Sequence, residues 1–413
     1  MKKCVFLLWV LVRDFGLVLL YPVVVLWPRD EKKILFGAWG GRQFSDNPMY
    51  FMQYLQRQNK GYRCYWVGES TIREQVERAV GVAFVRKGSF LAIWHVLSAR
   101  WMCCNIRIAT DITHFPTFGR VKQINFWHGA AFKGLPTGET SKERANVGFF
   151  HRVWRFLAYG FLDCACSQKC YATFSSKGMC EKMPHAAPWS FSVARSIPCG
   201  SPRIDYLIHT SQDMEGLRQL RERIASVLKI PADKRWYLYM PTWRNGLDVS
   251  FSFLTSARLA DYQRVLADQN AILIEKQHPQ VLRALGLGSA ADGNIRVVSE
   301  AEAAQLNVQE LLLTADRLIT DYSSCFCDYA PLKRPVIHWV YDYNRYVSDE
   351  RSGDDYPLKD YSAGPVAETD DELIALLGQT DEQLLKGCGK RFCELIEGET
   401  GHACEQFAAW MRM

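Results

Sequence analysis

The stretch Ala315–Pro335, A-D-R-L-I-T-D-Y-S-S-C-F-C-D-Y-A-P-L-K-R-P, decides how this chain is read. A short apolar strand, Leu318-Ile319, runs into Thr320-Asp321-Tyr322-Ser323-Ser324, and a helix carrying Phe326, Tyr329 and Leu332 on one face is expected to follow. Serine and threonine start helices because their oxygens accept from the first, unpaired backbone N–H groups. The same N–H groups and the positive end of the helix dipole make such a turn a seat for phosphate. Two adjacent serines bring two hydroxyls to that seat. An ordinary capped helix in an α/β protein is the competing reading, and the stretch alone does not separate the two.

Working outward, short strands alternate with helical stretches on both sides. Ile34–Ala38, Arg63–Val67, Val82–Val85, Trp101–Cys104, Gln123–Trp127, Asp163–Ser167 and Ser196–Cys199 read as strands of a first half. Trp236–Met240, Ile272–Lys276, Ile295–Val297, Leu318–Thr320 and Val336–Trp339 form a second series, with the helical stretch Met214–Leu228 expected to bridge the halves. Strands separated by helices imply a parallel sheet covered on both faces. The fold expected is α/β, with two Rossmann-like domains facing a cleft. Residues 33–208 form the first, 209–385 the second and 386–413 a C-terminal helix. In open α/β sheets ligands bind beyond the C-terminal strand ends. On this reading His128, Gly200, Thr242, Arg244, His278 and Asp321 each follow a strand.

At 413 residues, 48% hydrophobic and 23% charged, the composition is that of a globular chain long enough for two domains. The net charge of +6 suits an anionic substrate or an anionic membrane surface. No basic arm or nucleic-acid motif is visible, so nucleic acid is not an expected partner. The 14 cysteines contain no C-x-x-C pair. They lie in apolar runs, which reads as buried free thiols and hence a reducing, cytoplasmic compartment. Residues 1–32 form a separate segment. Its run 4–27 is apolar, but Arg13-Asp14 near its middle costs roughly 2.5–3.5 kcal/mol per charge in a bilayer centre. It is read as membrane-associated, a re-entrant or interfacial helix pair interrupted at Pro22 or a poor span. Trp9, Trp27, Lys2, Lys3, Lys32 and Lys33 would sit at the headgroups. A buried N-terminal helix is the alternative.

Of nine histidines, only His128 and His278 lie in motif-like settings, Trp127-His128-Gly129 with Lys133, and Lys276-Gln277-His278-Pro279. Histidine is the usual base for a hydroxyl near neutral pH. Arg203 in G-S-P-R-I-D (Gly200–Asp205) and Arg244 in P-T-W-R (Pro241–Arg244) can each fork a phosphate, or form salt bridges. Asp328 would accept from a ribose hydroxyl or pair with Arg317 or Lys333. Trp127 and Trp243 are read as packing residues. There is no D-x-D run, so no tightly bound metal is expected; Mg²⁺ would enter only loosely, with a diphosphate.

Together these motifs, in this order, resemble the CDP-glycerol glycerophosphotransferase family of teichoic-acid and capsule enzymes, over roughly Ile34 to Leu377. The resemblance implies a glycosyltransferase-B fold, a CDP-polyol donor and a lipid-linked polymer or primer acceptor at the cytoplasmic face of the membrane. It assigns the base to His128, and His278 is expected to donate a hydrogen bond to the phosphate. The donor is expected on Gly200, Arg203, Thr242, Arg244, Lys276, Thr320, Asp321, Ser323, Ser324 and Asp328, and the acceptor on Asn47 and Lys133. The rival readings are a nucleotide-sugar glycosyltransferase of the same fold and a catalytically silent assembly protein.

Overall fold

The computed structural model describes residues 2–80, 83–129, 170–186, 195–242, 251–287, 290–343 and 357–412. The chain divides into two compact units. Among the described residues, one holds residues 2–128, those from 170 to Arg203 and those from His402 on; the other holds Gly129 and Ile204–Gly401.

The first unit is built on β1 (Asp30–Phe36), β2 (Arg63–Gly68), β3 (Ala83–Arg86), β4 (Ala99–Cys104), β5 (Lys122–Asn125), β6 (Cys170–Thr173) and β7 (Ser196–Ile197). They form one sheet in the order β3-β2-β1-β4-β5-β6-β7, every pairing parallel. Such a sheet is covered on both faces, so the buried stretches of its strands are apolar, as in Ile34, Leu35 and Phe36 of β1, Trp66 and Val67 of β2 and residues 101–104 of β4. Leu35, Val67, Val85 and Met102 pack with Ala92 and Val96 of the helix Phe90–Ser98. The direction of strand succession reverses between β1 and β4, which places the loops after these strands at the sheet's natural binding crevice. The expected strand Asp163–Ser167 lies outside the described residues. The described strand after β5 is Cys170–Thr173, only four residues long and weakly marked in sequence. The C-terminal helix Ala403–Trp410 packs on this unit through Phe407, whose ring lies 5.1 Å from that of Phe51 and 5.0 Å from that of Phe126.

The second unit carries β8 (Arg235–Tyr239), β9 (Ala271–Glu275), β10 (Ala291–Asp292), β11 (Ile295–Val297), β12 (Arg317–Thr320), β13 (Val336–Trp339) and β14 (Val366–Ala367), in the order β10-β11-β9-β8-β12-β13-β14. All pairings are parallel except β10 with β11. Its order reverses between β8 and β12. Tyr237, Leu273, Ile319 and Ile337 pack against Tyr262, Leu266, Leu373 and Leu377 from flanking helices. The helix Met214–Leu228, expected as a bridge, belongs to this second unit and packs on the helix Val308–Thr314.

Three N-terminal expectations change. Residues Lys2–Leu26 form one helix through Pro22 rather than a pair broken there. Proline keeps a helical φ and removes a single N–H bond; the carbonyl it leaves, on Val18, belongs to an exposed residue. Among the described residues no helix is long and apolar enough to cross a membrane. Lys33 is not at a surface: it is buried, its Nζ donates to Ser98 Oγ at 2.7 Å and lies 4.0 Å from the Trp94 ring centroid. Eleven cysteines among the described residues are free thiols; Cys388 and Cys393 are exposed, and most of the others are buried.

Candidate functional site

In the first unit the loops after β1, β4 and β5 meet around His128. The β5 exit is held by asparagines. Asn125 Oδ1 accepts from the Trp127 N–H at 2.8 Å, and Asn125 Nδ2 donates to the Ile106 carbonyl at 2.8 Å. Asn47 Nδ2 donates to the Trp127 carbonyl at 3.1 Å, and Asn47 Oδ1 accepts from the Arg203 N–H at 3.0 Å. Trp127 takes a left-handed φ of 55°, which turns the chain so that His128 leaves the strand direction. His128 then lies with its Nδ1 3.2 Å from the Asn105 carbonyl. A carbonyl only accepts, so Nδ1 carries the proton and Nε2 carries the lone pair. Burial pushes the imidazole below its ordinary pKa, against the opposing pull of the Asn105 carbonyl and the Asp46 charge. The ring is therefore neutral near pH 7, with a proton acceptor at Nε2.

Beneath it lies a buried ion pair. Arg203 Nη1 donates to Asp46 Oδ1 at 2.9 Å, and Asn105 Nδ2 donates to Asp46 Oδ2 at 2.9 Å. This changes two expectations. Asn47 is 1% exposed with its amide spent inside the protein, so it supports the His128 turn rather than facing an acceptor. Arg203 is 3% exposed and its guanidinium is engaged by Asp46. Gly200 adopts φ 78° and donates to the Phe174 carbonyl at 3.2 Å, which is the turn its lack of a Cβ permits.

In the second unit three motifs leave the neighbouring strands β9, β8 and β12. Asp321 is fully buried, and its carboxylate accepts from the Thr242 N–H at 2.9 Å, the Thr242 hydroxyl at 2.8 Å and the Ser323 N–H at 2.9 Å. It therefore ties the β8 exit to the β12 exit and is not presented to a ligand. Thr320 is likewise internal, its hydroxyl donating to the Met240 carbonyl at 2.6 Å. From behind, His338 Nδ1 donates to the Asp321 carbonyl at 2.8 Å while its Nε2 accepts from the Ala363 N–H at 3.1 Å; burial lowers its pKa to about 4. Ser323 and Ser324 are half-buried. The expected serine cap is not formed: Ser324 precedes the helix Cys325–Tyr329 without a side-chain capping bond, and a 3-10 turn, Ala330–Leu332, replaces the rest of the expected helix. Its hydroxyl makes no hydrogen bond among the described residues.

Lys276 follows β9 half-buried. Burial lowers its pKa, opposed among the described residues by the Cys325 thiol. It forms no ion pair among the described residues. His278 caps the helix Pro279–Leu285: its Nδ1 accepts from the Gln280 N–H at 3.3 Å, so its Nε2 carries the proton. Burial and the neighbouring Lys276 and Arg283 push His278 below its ordinary pKa. Asp328 is buried. It does not pair with Arg317, which is committed to Asp381 at 2.7 Å and to the carbonyls of Leu377 and Gln379. Lys133, Trp243 and Arg244 lie outside the described residues. No group of three or more His, Cys, Asp or Glu side chains among the described residues is arranged to hold a metal ion.

Sequence reasoning missed Asp46, Asn105, Asp111, Asn125 and His338. The run Ser45-Asp46-Asn47-Pro48 and the Asn125 two residues before Trp127 were visible polar residues at strand or helix ends; Asn105, Asp111 and His338 carried no signal.

The model of one protein family, the CDP-glycerol:poly(glycerophosphate) glycerophosphotransferases, matches residues 19–402. The chain belongs to this family. A teichoic acid poly(glycerol phosphate) polymerase of Bacillus spizizenii is 27% identical over 94% of this chain and 94% of its own length. A teichoic acid glycerol-phosphate transferase of Staphylococcus aureus is 28% identical over 90% of this chain and 91% of its own. The solved structure of the wall teichoic acid polymerase TagF shares the fold, with a TM-score of 0.71 at 22% identity over 99% of this chain and 97% of that one.

Proposed function

We propose that the protein transfers glycerol phosphate from CDP-glycerol to a hydroxyl of a membrane-linked teichoic-acid-like acceptor and releases CMP. The observation that carries this is the pair of opposite histidine tautomers. His128 offers a lone pair at Nε2, as a base for a hydroxyl must; His278 offers an N–H at Nε2 beside the ammonium of Lys276, as a phosphate contact must. The acceptor oxygen bonds to the β-phosphorus as its proton passes to His128 Nε2. The bond from that phosphorus to the bridging oxygen breaks, and CMP leaves with that oxygen. Lys276, His278, Ser323 and Ser324 hold the diphosphate, with Arg244 completing the set. Fixed donors around a transferring phosphoryl group supply most of such catalysis. The two units act as the halves of a glycosyltransferase-B enzyme, the first supplying the base and the second the donor seat. Glycerol is preferred to ribitol because the glycerol-phosphate polymerase and transferase are 27% and 28% identical over 94% and 90% of this chain, against 23% over 84% for the ribitol-phosphate primase of Bacillus spizizenii and 29% over 46% for the ribitol-phosphate polymerase TarK of Staphylococcus aureus.

The enzyme works at the cytoplasmic face of the membrane. The helix Lys2–Leu26 leaves Val12, Phe15 (65% exposed), Val18, Leu19 and Leu26 uncovered, and Phe90 (92% exposed), Leu91 and Trp94 of the helix Phe90–Ser98 are also bare. Apolar surface on this scale suits a bilayer. CMP release and CDP-glycerol binding test the roles. His128→Ala should bind CDP-glycerol as the parent does and turn over ~10²–10⁴-fold more slowly. His278→Ala should lose both binding and rate. Near-normal turnover of His128→Ala at saturating substrates would remove His128 as the base.

A further inference from the structure

The Asn105 carbonyl that accepts the His128 Nδ1–H hydrogen bond belongs to a peptide group whose other end is also engaged. The N–H of that same peptide, on Ile106, donates to Asp111 Oδ2 at 2.8 Å. We propose that Asp111 is the orienting acid of His128, acting through the Asn105–Ile106 peptide: carboxylate, N–H, carbonyl, Nδ1–H, in one line of hydrogen bonds. Asp111 is a positioning residue, since it touches no reacting atom. The inference rests on the reading of His128 as the base.

Asp111 is fully buried on the short helix Ile108–Asp111. Its Oδ1 accepts from the Gly40 N–H at 2.8 Å, and its Oδ2 also from the Asn105 N–H at 3.2 Å. Each of these donors only donates, so both oxygens act as acceptors, the pattern of the ionised carboxylate. Burial pushes its pKa up, and four backbone N–H groups hold it down. Hydrogen-bonded chains polarise one another in a low-dielectric interior. A negative charge pulling on the peptide N–H makes the carbonyl at the other end a stronger acceptor. That fixes the Nδ1–H tautomer and makes Nε2 more basic, the task a carboxylate performs directly in a serine-histidine-aspartate triad. Here a peptide group is interposed.

The other charges around His128 do not do this. Asp46 faces it but is paired with Arg203, which opposes it; Lys87 Nζ lies on the carbonyls of Gly40 and Thr110 and makes no contact with the imidazole. Asp111 is the carboxylate in hydrogen-bonded continuity with the ring. Gly37 supports the same geometry, since a Cβ there would stand 2.7 Å from the Asp111 carbonyl oxygen.

The test is the titration of His128 in full-length protein carrying ¹⁵N,¹³C-histidine, assigned with His128→Gln. In the parent, the ring nitrogens should show a protonated Nδ1 and an unprotonated Nε2; the opposite tautomer overturns the proposal without any variant. Asp111→Asn removes the charge at nearly constant shape. It should lower the His128 pKa by about half to one pH unit and move the acid limb of kcat/KM the same way. Asp111→Glu restores the charge and should recover much of the shift. If Asp111→Asn is folded by circular dichroism but His128 titrates as in the parent, Asp111 is only a loop brace and the relay is wrong. Failure of the base assignment is read separately, as near-normal turnover of His128→Ala, and leaves the titration result intact.

Discussion

Single residues decide the chemistry through their tautomers and burial. His128 and His278 are both histidines after strands, but their Nδ1 atoms meet opposite partners, a carbonyl and an N–H, and so Nε2 carries a lone pair in His128 and a proton in His278. Sequence marked both residues, yet it could not reveal the tautomers, because those are set by backbone groups of Asn105 and Gln280. His338 shows the other fate of a histidine. Its pKa is about 4 in the folded chain because burial disfavours the cation. Between that value and the ordinary 6.5 only the unfolded chain takes up this proton. Stability from His338 is thus complete above pH 6.5 and is lost as pH falls toward 4, at about 1.4 kcal/mol per pH unit. His338→Gln keeps a donor and an acceptor but cannot titrate. Urea unfolding of this variant between pH 4 and 6.5 should show a stability slope lower by about that amount, and an unchanged slope would mean that His338 is already accessible to protons when folded.

Elements carry the next set of claims. The alternation of apolar runs reveals most strands because a doubly covered parallel sheet favours apolar residues on both faces, as in residues 101–104 of β4, residues 271–274 of β9 and Leu318 and Ile319 of β12. It hides β6, β10 and β14, which are too short to show a run. It also misplaces the helix after Ser324: Pro331 and the left-handed Lys333 stop it, so only Cys325–Tyr329 is α-helical. The turn before it keeps a hydroxyl on Ser324 with no hydrogen bond among the described residues. Ser323→Ala with Ser324→Ala should therefore weaken CDP-glycerol binding, each lost bond to a charged group contributing roughly 1.5–3 kcal/mol, with the melting temperature little changed. Titration calorimetry checks this; unaltered affinity would leave the turn a simple strand-to-helix connection. The N-terminal helix makes its own prediction. Phe15→Asp with Leu19→Asp should abolish sedimentation with phosphatidylglycerol vesicles. If the variant still sediments like the parent, the contact lies elsewhere, with Phe90–Trp94 the next surface to change.

At the scale of the whole molecule, both sheets reverse strand order beside their first strand, between β1 and β4 and between β8 and β12, and the motifs singled out in sequence lie on loops at or next to these reversals, except Gly200–Asp205, which follows the edge strand β7. The sequence makes the alternation legible but not the strand order, which depends on which strands pair across long connections. It also makes the ligand-facing residues and their supports look alike. Asp321, Thr320, Arg203 and Asn47 stand in the motifs but are consumed in holding loops together, whereas Lys276 forms no ion pair and the Ser324 hydroxyl no hydrogen bond among the described residues. A motif records everything a site needs, scaffold included, and only burial and bonding separate the two. The activity itself is tested most directly by presenting the full chain, with primer-bearing vesicles, to CDP-glycerol, CDP-ribitol and a set of nucleotide sugars, and following products by ³¹P NMR. CMP should appear from CDP-glycerol in step with new phosphodiester signal, with slower release from CDP-ribitol. Release of UDP or GDP from a nucleotide sugar, with no CMP from CDP-glycerol, would contradict the account.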